Sequence, residues 1–331
     1  MNPSCSQASR VFILLISLLG SGAGQESATF RSRTNLVLVP ALVRGADGSP
    51  VYGLRAQDFL IDDDGVEQAV QLEETAESAP LSLVIAIQRG RRASYEFPRI
   101  QSLYSMLEPI LGQPETQVAL VEFDSTVELA QDFTSDIKLI AENLRKLQPG
   151  DSKAAILDAV YFSEKLLDKV PKERQRVLLL ISETRDHGSI WARKIDDVVT
   201  LVGTGNTTVY TLAFSPSVSN VLDTMRGNNI EEMNASPDYL AVLKMAAQAM
   251  RKNVPKTIAS LTGGEYALFE TRSSFEDRML NFTNHLHSRY LLSFAPKDPH
   301  VGLHQIRVVL KKPANTTVLA RSRYLATGTG P

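Results

Sequence analysis

The sequence predicts a three-layer α/β domain that is inserted into a small β-sandwich formed by the N- and C-terminal segments. Four continuous apolar runs alternate with segments of helical periodicity in the middle of the chain, which predicts a mostly parallel sheet with helices on both faces. β-rich segments flank this block, and one sandwich built from both ends would pair their otherwise exposed edges. The predicted division is 1–24 signal peptide, 25–80 N-terminal β segment, 81–295 α/β domain and 296–331 C-terminal β segment.

Two Asp-Gly turns mark the first β segment. Asp47-Gly48 and Asp64-Gly65 each stand between apolar runs, and Asp-Gly in that setting is a strong short signal of a hairpin. The polar stretch 73–80 then predicts a linker. We therefore expect the N-terminal segment to form strands joined by tight turns.

The middle block carries the alternation of strands and helices. Its predicted buried strands are the apolar runs 83–87, 118–123, 177–181 and 209–214. The predicted helices between them have apolar faces that include Ile100 and Leu107, Ile137 and Leu144, and Ile156 and Leu167. Asp124-Ser125 predicts an antiparallel hairpin at one edge of the sheet. Residues 215–238 predict an insertion loop, helices follow over 239–261 and 275–286, and the closing strands are expected at 290–294, 305–310 and 317–324.

The N-terminus has the features of an export signal. Arg10 precedes the apolar run 11–19, and small residues follow over 20–24. The run is shorter than the roughly 20 apolar residues of a membrane span, so we expect a secreted or periplasmic (cell-envelope) protein, with a retained N-terminal anchor as the alternative. Cys5, the only cysteine, would leave with the signal, which excludes a disulfide, a thiolate zinc site and a cysteine nucleophile from the mature chain.

The composition narrows the functional classes. Hydrophobic residues make up 43% and charged residues 22% of the 331 residues, as in an ordinary globular protein, which excludes a coiled coil or a disordered chain. The 35 Lys and Arg against 37 Asp and Glu give a formal net charge of -2. We therefore expect no nucleic-acid partner, because a phosphate-binding surface carries a basic excess.

Several stretches of the chain resemble a known family. They include VALVEFDSTVEL at 118–129, VLLLISETRDHGS at 177–189 and ASLTGGEYALF at 259–269. Segment 81–295 resembles a von Willebrand factor A (VWFA) domain, and 34–326 is similar to the bacterial subgroup called the VWFA-related acidobacterial domain. The resemblance implies a Rossmann-like fold and a non-catalytic module of cell adhesion or protein binding. Such domains hold their protein ligand through a divalent metal, Mg²⁺ or Mn²⁺, at the carboxyl end of the sheet, where a carboxylate of the partner completes the metal's ligands.

The ligand set of this metal-ion-dependent adhesion site (MIDAS) does not carry over to this sequence. The family pattern is Asp-x-Ser-x-Ser after the first core strand, Thr before the third helix and Asp after the fourth strand. The corresponding positions hold Gln88, Gly90, Arg92, Ala154 and Glu183. Mg²⁺ prefers carboxylate, hydroxyl and water oxygens, and a guanidinium at close range repels it. We therefore predict a degenerate MIDAS without a cofactor, with Mg²⁺ or Mn²⁺ bound only if the site is rescued by other residues.

Positive side chains stand where the metal ligands would be. The predicted ligand-binding face consists of Gln88, Arg89, Gly90, Arg91, Arg92, Lys153, Ala154, Glu183 and Arg185. Its five cations could bind a carboxylate of an unidentified protein partner directly, since arginine forms bidentate pairs with carboxylates. In the alternative interpretation these cations pair internally with Glu183, Asp186 or Asp151, or lie in water, as most surface charges do.

Three further alternatives stay open. A divalent metal could be held in a rearranged site by Glu183, Asp158 and Asp186. A hydrolase could be built around His187 with Ser182 and Asp186, although no Gly-x-Ser-x-Gly elbow accompanies them. In the third alternative the former metal site is inert, and the outer sandwich carries the interactions. We expect a protein that is not an enzyme.

Several other polar and aromatic residues have simpler structural interpretations. The run Asp-Asp-Asp-Gly at 62–65 lacks the remaining ligands of a calcium loop and is interpreted as a hairpin turn. The histidines at 285, 287, 300 and 304 are interpreted as structural or solvent-exposed. Trp191 and Phe97 are expected near the ligand-binding end, with core packing as the default role.

Overall fold

The middle of the chain alternates strands with helices, and both ends are built of strands. The structure is a computed structural model that describes residues 36–73, 80–100, 102–111, 115–171, 173–188, 195–214, 239–312 and 315–326. The predicted export signal, the predicted insertion loop and Trp191 lie outside the described residues. The described strands are β1 (Val37–Arg44), β2 (Phe59–Asp63), β3 (Val66–Gln68), β4 (Gln71–Leu72), β5 (Leu81–Gln88), β6 (Gln117–Phe123), β7 (Val127–Thr134), β8 (Gln175–Glu183), β9 (Thr207–Phe214), β10 (Tyr266–Phe269), β11 (Tyr290–Phe294), β12 (Gly302–Leu310), β13 (Thr317–Ala320) and β14 (Arg323–Ala326).

The helices fall between the strands of the middle block. Those in the described residues are α1 (Phe97–Ile100), α2 (Leu103–Leu111), α3 (Ile137–Arg145), α4 (Ile156–Leu167), α5 (Ile195–Thr204), α6 (Tyr239–Lys252), α7 (Val254–Thr262) and α8 (Arg272–His287). Each predicted helix in this part of the chain is confirmed. Helix α7 begins with Pro255 in its first turn, where a missing N–H costs nothing, and ends at Gly263 in the left-handed conformation.

A six-stranded sheet forms the centre of the middle block, in the order β10-β9-β8-β5-β6-β7. Its first five strands are parallel, and β7 at the edge is antiparallel to β6, which confirms the hairpin predicted at Asp124-Ser125. Every residue of β5 and of β9 is buried, because helices cover both faces of the sheet. One apolar core forms on the face of α4 and α7, and another on the face of α2 and α8. The predicted α/β fold is therefore confirmed.

The two ends of the chain interleave in two further sheets of four strands. One has the order β13-β1-β11-β4 and the other β14-β12-β2-β3, so each combines N- and C-terminal strands. A third apolar core, which includes Val39, Phe59, Leu292 and Ile306, draws on strands of both sheets. The strands β2 and β3 pair around Asp64-Gly65, as the sequence predicts. The predicted β contribution of both termini is present.

Two details differ from the prediction at the C-terminal end. Strand β11, counted with the α/β segment in the predicted division at 295, pairs with β1 in the first terminal sheet. The run 317–324, predicted as one strand, forms β13 and β14 in different sheets. The strand is interrupted at Arg321, which is buried. Its guanidinium donates hydrogen bonds to the Gly203 and Gly205 carbonyls beside the end of α5. An uninterrupted strand would withdraw this guanidinium from its acceptors.

Candidate functional site

Three loops meet at the carboxyl end of the central sheet. They follow β5 and β8 and precede α4, and backbone hydrogen bonds join them directly. The Arg91 N–H donates to the Asp151 carbonyl (2.6 Å), the Gly150 N–H to the Arg89 carbonyl (2.8 Å), and the His187 N–H to the Ala154 carbonyl (2.9 Å). The predicted site residues are therefore brought to one end of the sheet, because parallel strands present their carboxyl ends together.

Gly90 allows the closest approach between these loops. A Cβ atom at this position would lie 1.9 Å from the Lys153 carbonyl oxygen and 2.8 Å from the Asp124 Cβ. Atoms of ordinary side chains do not approach so closely, so only glycine fits here without a shift of the backbone. The sequence analysis interpreted Gly90 as the loss of a serine hydroxyl of the family pattern. In the structure, the absence of a side chain at Gly90 allows the loop after β5 to pack against the loop before α4.

Glu183 lies at the centre of the site, and its carboxylate faces N–H donors. The side chain is 3% exposed. The Arg91 Nε donates to Oε2 at 3.1 Å, and the Gln88 Nε2 donates to Oε1 at 3.3 Å. The Glu183 N–H in turn donates to the Gln88 Oε1 at 2.8 Å. The amide and the guanidinium together occupy the acceptor positions that a metal ion would use.

The backbone of Arg91 has a left-handed conformation, with φ of 58°. This region costs about 1–2 kcal/mol for a residue other than glycine. The ion pair with Glu183 and the hydrogen bond of the Arg91 N–H to Asp151 are the contacts that hold it. Such a conformation at the carboxyl end of a sheet is typical of sites where the geometry of a side chain matters.

Arg89 turns away from Glu183 toward the edge hairpin. Its Nε lies 3.0 Å from Asp124 Oδ2, its Nη2 3.0 Å from Glu128 Oε1, and its Nη1 3.8 Å from Glu122 Oε2. The sequence analysis did not name these partners. The sequence nevertheless contains an indication of this pairing. Glu122 and Glu128 lie opposite each other in the β6–β7 hairpin, and like charges in that position destabilise the hairpin unless a cation lies beside them.

Asp186 serves the start of α4. Its Oδ1 accepts a hydrogen bond from the Ile156 N–H at 2.8 Å, which satisfies one of the free donors at the helix N-terminus. Burial raises the pKa of this carboxyl, while the backbone hydrogen bonds oppose the rise. Within the site, Asp186 therefore acts as a hydrogen-bond acceptor for the backbone at the start of α4.

The hydrolase alternative requires Ser182 to reach a substrate. Ser182 is fully buried, and its hydroxyl donates to the Glu183 carbonyl at 2.9 Å. The His187 side chain is 34% exposed, and its Nε2 lies 3.5 Å from Glu183 Oε2. Partial burial of the ring lowers the pKa of His187, and the charge of Arg91 lowers it further. A hydroxyl enclosed within the strand end is not accessible as a nucleophile.

The accessible positive charge of the site lies on its rim. Arg92 and Arg185 are exposed, Lys153 is partly exposed, and Ala154 is fully buried beneath them. Phe97 packs against the apolar core beside α2, as its default interpretation predicts. Arg89 and Arg91, in contrast to the exposed rim, are more than half buried and form ion pairs with carboxylates of the chain itself.

N–H donors surround the Glu183 carboxylate, where the family resemblance would place a metal ion. Gln88 and Arg91 turn N–H donors toward Glu183, and a dication beside this carboxylate would face their positive ends. Asp186, a member of the rearranged metal set, already accepts from the start of α4. Among the described residues, one group of three His, Asp or Glu ligand atoms lies within 4.8 Å of one another, and it consists of Asp64, His300 and His304 in the terminal sheets.

The comparison with protein families gives one match in this region. Residues 89–186 match the family model of the von Willebrand factor type A domain. The match covers the loops after β5 and β8 and the start of α4, and it supports a von Willebrand factor type A domain in the middle block. Among curated proteins, none matches this sequence.

Solved structures to which the chain shows similarity include three bacterial proteins. The vWF domain of the type V pili tip protein Mfa5 from Porphyromonas gingivalis is 15% identical over 33% of this chain and 39% of its own, with a TM-score of 0.29. BatB from Bacteroides thetaiotaomicron is 12% identical over 62% of this chain and 98% of its own, with a TM-score of 0.40. A von Willebrand factor type A protein from Catenulispora acidiphila is 9% identical over 91% of this chain and 76% of its own, with a TM-score of 0.44.

The helices of the fold are short or carry many polar residues. None of those in the described residues combines the length and the apolar character needed to cross a bilayer.

Proposed function

We propose that this chain is an exported, non-catalytic protein-binding or adhesion module of the von Willebrand factor A type that works without a metal ion. It falls in the acidobacterial subgroup that the sequence resembles, with the α/β domain 81–295 inserted between the β segments 25–80 and 296–331. The export signal at 1–24 directs it to the cell envelope or the outside of the cell.

One observation carries the proposal of metal independence. The Arg91 guanidinium lies 3.1 Å from the carboxylate of Glu183, the residue that corresponds to the late Asp of the family pattern. A fixed positive charge thus replaces the dication and neutralises the only carboxylate that the former ligand positions retain. Because the guanidinium is attached to the chain, its presence does not depend on the concentration of an ion in solution.

The charge on the rim supports a partner that presents a carboxylate. The exposed Arg92 and Arg185 lie on loops that backbone hydrogen bonds join to neighbouring segments, so their positions are constrained at the backbone. Arginine pairs with carboxylates through two parallel hydrogen bonds, which gives geometric specificity. A formal net charge of -2 for the chain argues against a nucleic-acid partner.

Magnesium is expected to leave the thermal stability of the protein unchanged. A resident ion at a concentration 100-fold above its Kd would stabilise the fold by about 2.7 kcal/mol, which a melting curve detects readily. Mg²⁺ is the suitable probe because it selects oxygen ligands and avoids histidine sites. Thermal melts should be recorded for wild type and Glu183→Gln with Mg²⁺ or with chelator.

A rise in the melting temperature of wild type with Mg²⁺, absent in Glu183→Gln, would show a functional metal site and contradict the proposal. Thermal melts with Mn²⁺ should use the His300→Ala variant. Mn²⁺ also binds histidine nitrogens, and this variant removes a histidine that lies outside the site.

Replacement of Arg92 and Arg185 by alanine is expected to reduce capture of the protein partner at least about tenfold, because two charge-assisted contacts are lost. The experiment compares affinity capture from the native cell envelope by the mature chain and its variants, quantified by mass spectrometry. Arg307→Ala is the matched control, since Arg307 is exposed in β12 of the terminal sheets. Loss of capture by Arg307→Ala alone would favour the alternative in which the outer sheets carry the interactions.

A further inference from the structure

A cluster of two histidines and two aspartates joins the N- and C-terminal strands away from the central sheet. Asp63 ends β2 and Asp64 begins the turn to β3, while His304 lies in β12 and His300 in the segment before it. The pairing of β2 with β12 brings these parts of the chain together, although they are 241 residues apart in sequence. The sequence analysis interpreted the aspartates as turn residues and the histidines as structural.

The ring of His304 has a defined hydrogen bond on one nitrogen. His304 is 1% exposed, and its Nε2 lies 2.8 Å from the His300 carbonyl oxygen, which can only accept. The Nε2 therefore carries the proton and donates. In the neutral tautomer this leaves Nδ1 with a lone pair. A histidine that ligates a metal usually donates its other ring N–H to a carbonyl or carboxylate in this way.

The Nδ1 atom of His304 faces two carboxylates. It lies 3.1 Å from Asp63 Oδ1 and 2.9 Å from Asp64 Oδ2. The other oxygen of each carboxylate is already used, because the Tyr324 hydroxyl donates to Asp63 Oδ2 and the Gln305 N–H donates to Asp64 Oδ1, both at 2.9 Å. A lone pair and two carboxylate oxygens at these distances repel one another unless a positive charge lies between them.

The second histidine adds another ligand at the open side of the cluster. The His300 ring lies 4.0 Å from the His304 ring between centroids, with Nε2 3.8 Å from Asp64 Oδ2. The His300 side chain is 51% exposed, so solvent and ions reach the cluster from this side. Ligand atoms around a tetrahedral zinc ion, with bonds of about 2.0–2.1 Å, are about 3.3 Å apart, and the observed separations of 2.9, 3.1 and 3.8 Å lie around this value.

The neighbouring charges leave the cluster in need of a cation. Arg323 in β14 is buried and interacts electrostatically with Asp64, so it offsets one of the two carboxylates. Tyr324 stacks on the His304 ring at 4.5 Å and donates to Asp63, without adding charge. With His304 neutral and both carboxylates ionised, one negative charge remains on the side that His300 opens to solvent.

We propose that Asp64, His300 and His304, together with Asp63, form a binding site for a divalent transition-metal ion of the zinc class. Two imidazole nitrogens and carboxylate oxygens are a ligand set that zinc accepts. The ion links the β2–β3 turn from the N-terminal segment to β12 from the C-terminal segment, and so ties together the two ends that build the terminal sheets. Its role is structural and is independent of the ligand-binding face on the central sheet.

Calorimetric titration with Zn²⁺ tests the site. The titrated protein is the full mature chain, from which a chelator has first removed any bound metal. Wild type is expected to bind one Zn²⁺ per chain, and Asp64→Asn and His300→Ala to bind it at least about tenfold more weakly. Asn keeps the turn, because it tolerates the φ of 51° at this position, and His300 is exposed, so neither variant should disturb folding. Circular dichroism checks this. His187→Ala, which removes an exposed histidine elsewhere, should bind as wild type does.

The competing outcome is a proton in place of the metal. If wild type binds no Zn²⁺, and nitrogen NMR in the presence of excess Zn²⁺ shows both ring nitrogens of His304 protonated, the cluster is a buried imidazolium between two carboxylates and the proposal is wrong. Equal zinc affinity of wild type, Asp64→Asn and His300→Ala would also overturn it. Anomalous scattering at the zinc edge from a crystal of the loaded protein should place the ion between Asp64 and His304.

Discussion

Replacement of Gly90 by alanine is expected to lower the free energy of unfolding by about 3 kcal/mol, at the upper end of the range for overpacking. The added Cβ would lie 1.9 Å from the Lys153 carbonyl oxygen, which belongs to backbone and cannot rotate away as a side chain would. The loop after β5 must then move off the loop before α4, and the hydrogen bond of the Arg91 N–H to Asp151 is strained with it. Denaturant unfolding followed by circular dichroism measures the change.

Gly203→Ala is the matched control. Gly203 lies in α5, and a Cβ there would meet no atom within 4 Å. Alanine at a helical position of this kind is expected to be neutral or to stabilise the fold by up to about 1 kcal/mol. If Gly90→Ala unfolds at the same denaturant concentration as wild type, the close approach of the two loops is wrong, and with it the geometry that places Arg91 beside Glu183.

The free energy of unfolding is expected to fall by about 3 kcal/mol between pH 4.5 and about pH 8 through Glu164 alone. Burial raises the pKa of this fully buried carboxyl from 4.5 to about 7, while its hydrogen bond with Thr207 and the charge of Arg176 oppose the rise. Between these two values the folded protein binds the proton that the unfolded chain has lost. The stabilisation is therefore complete below pH 4.5 and is lost as the pH rises through about 7.

Glu164→Gln tests this expectation, because the amide matches the shape of the protonated acid and does not ionise. The variant should lose this part of the pH dependence and, near about pH 8, exceed wild type by up to about 3 kcal/mol in the free energy of unfolding. Glu108→Gln makes the same chemical change on the exposed surface of α2. Urea unfolding at a series of pH values gives the slopes. A slope in Glu164→Gln equal to that of wild type would contradict the assignment.

Glu164 also connects the middle block with the terminal sheets. The charge of Arg321, between β13 and β14, acts on its carboxyl, and the Arg321 guanidinium donates to the Gly203 carbonyl at the end of α5. Burial lowers the pKa of Arg321 to about 10, so this guanidinium stays charged at neutral pH. The pH dependence of the free energy of unfolding is thus expected to depend on the contact of Arg321, between β13 and β14, with Glu164 in α4.

The meeting of the loops after β5 and β8 and before α4 at one end of the sheet could be predicted from the sequence. Strands with continuous apolar runs must be covered on both faces, and their parallel arrangement places the residues after β5 and β8 together. The pairing of Arg91 with Glu183 was one of the two interpretations of the cation-rich loop, and the structure realises it. The proposed contact surface consequently moves to Arg92 and Arg185 on the rim.

The direction of each arginine could not be predicted from the sequence. Arg89 and Arg91 are neighbours of the same glycine, yet one turns to the edge hairpin and the other to Glu183. The difference arises from the backbone, because Gly90 packs against Lys153 and Arg91 has a positive φ. Neither property follows from hydrophobic periodicity, which reports only the side of a strand or helix that is buried.

The sequence alone determined the alternation of strands and helices and the β character of both ends, because these follow from local patterns of apolar residues and from turn chemistry. The tertiary structure decided which distant charges meet. The carboxylates around Arg89 come from the β6–β7 hairpin, and the parallel pairing of β5 with β6 brings Arg89 beside it. The group of Asp63, Asp64, His300 and His304 arises from the pairing of β2 with β12, which lie far apart in the chain. An ion pair requires its charged atoms within about 4 Å of each other, so such groups exist only once the register of the sheets is set.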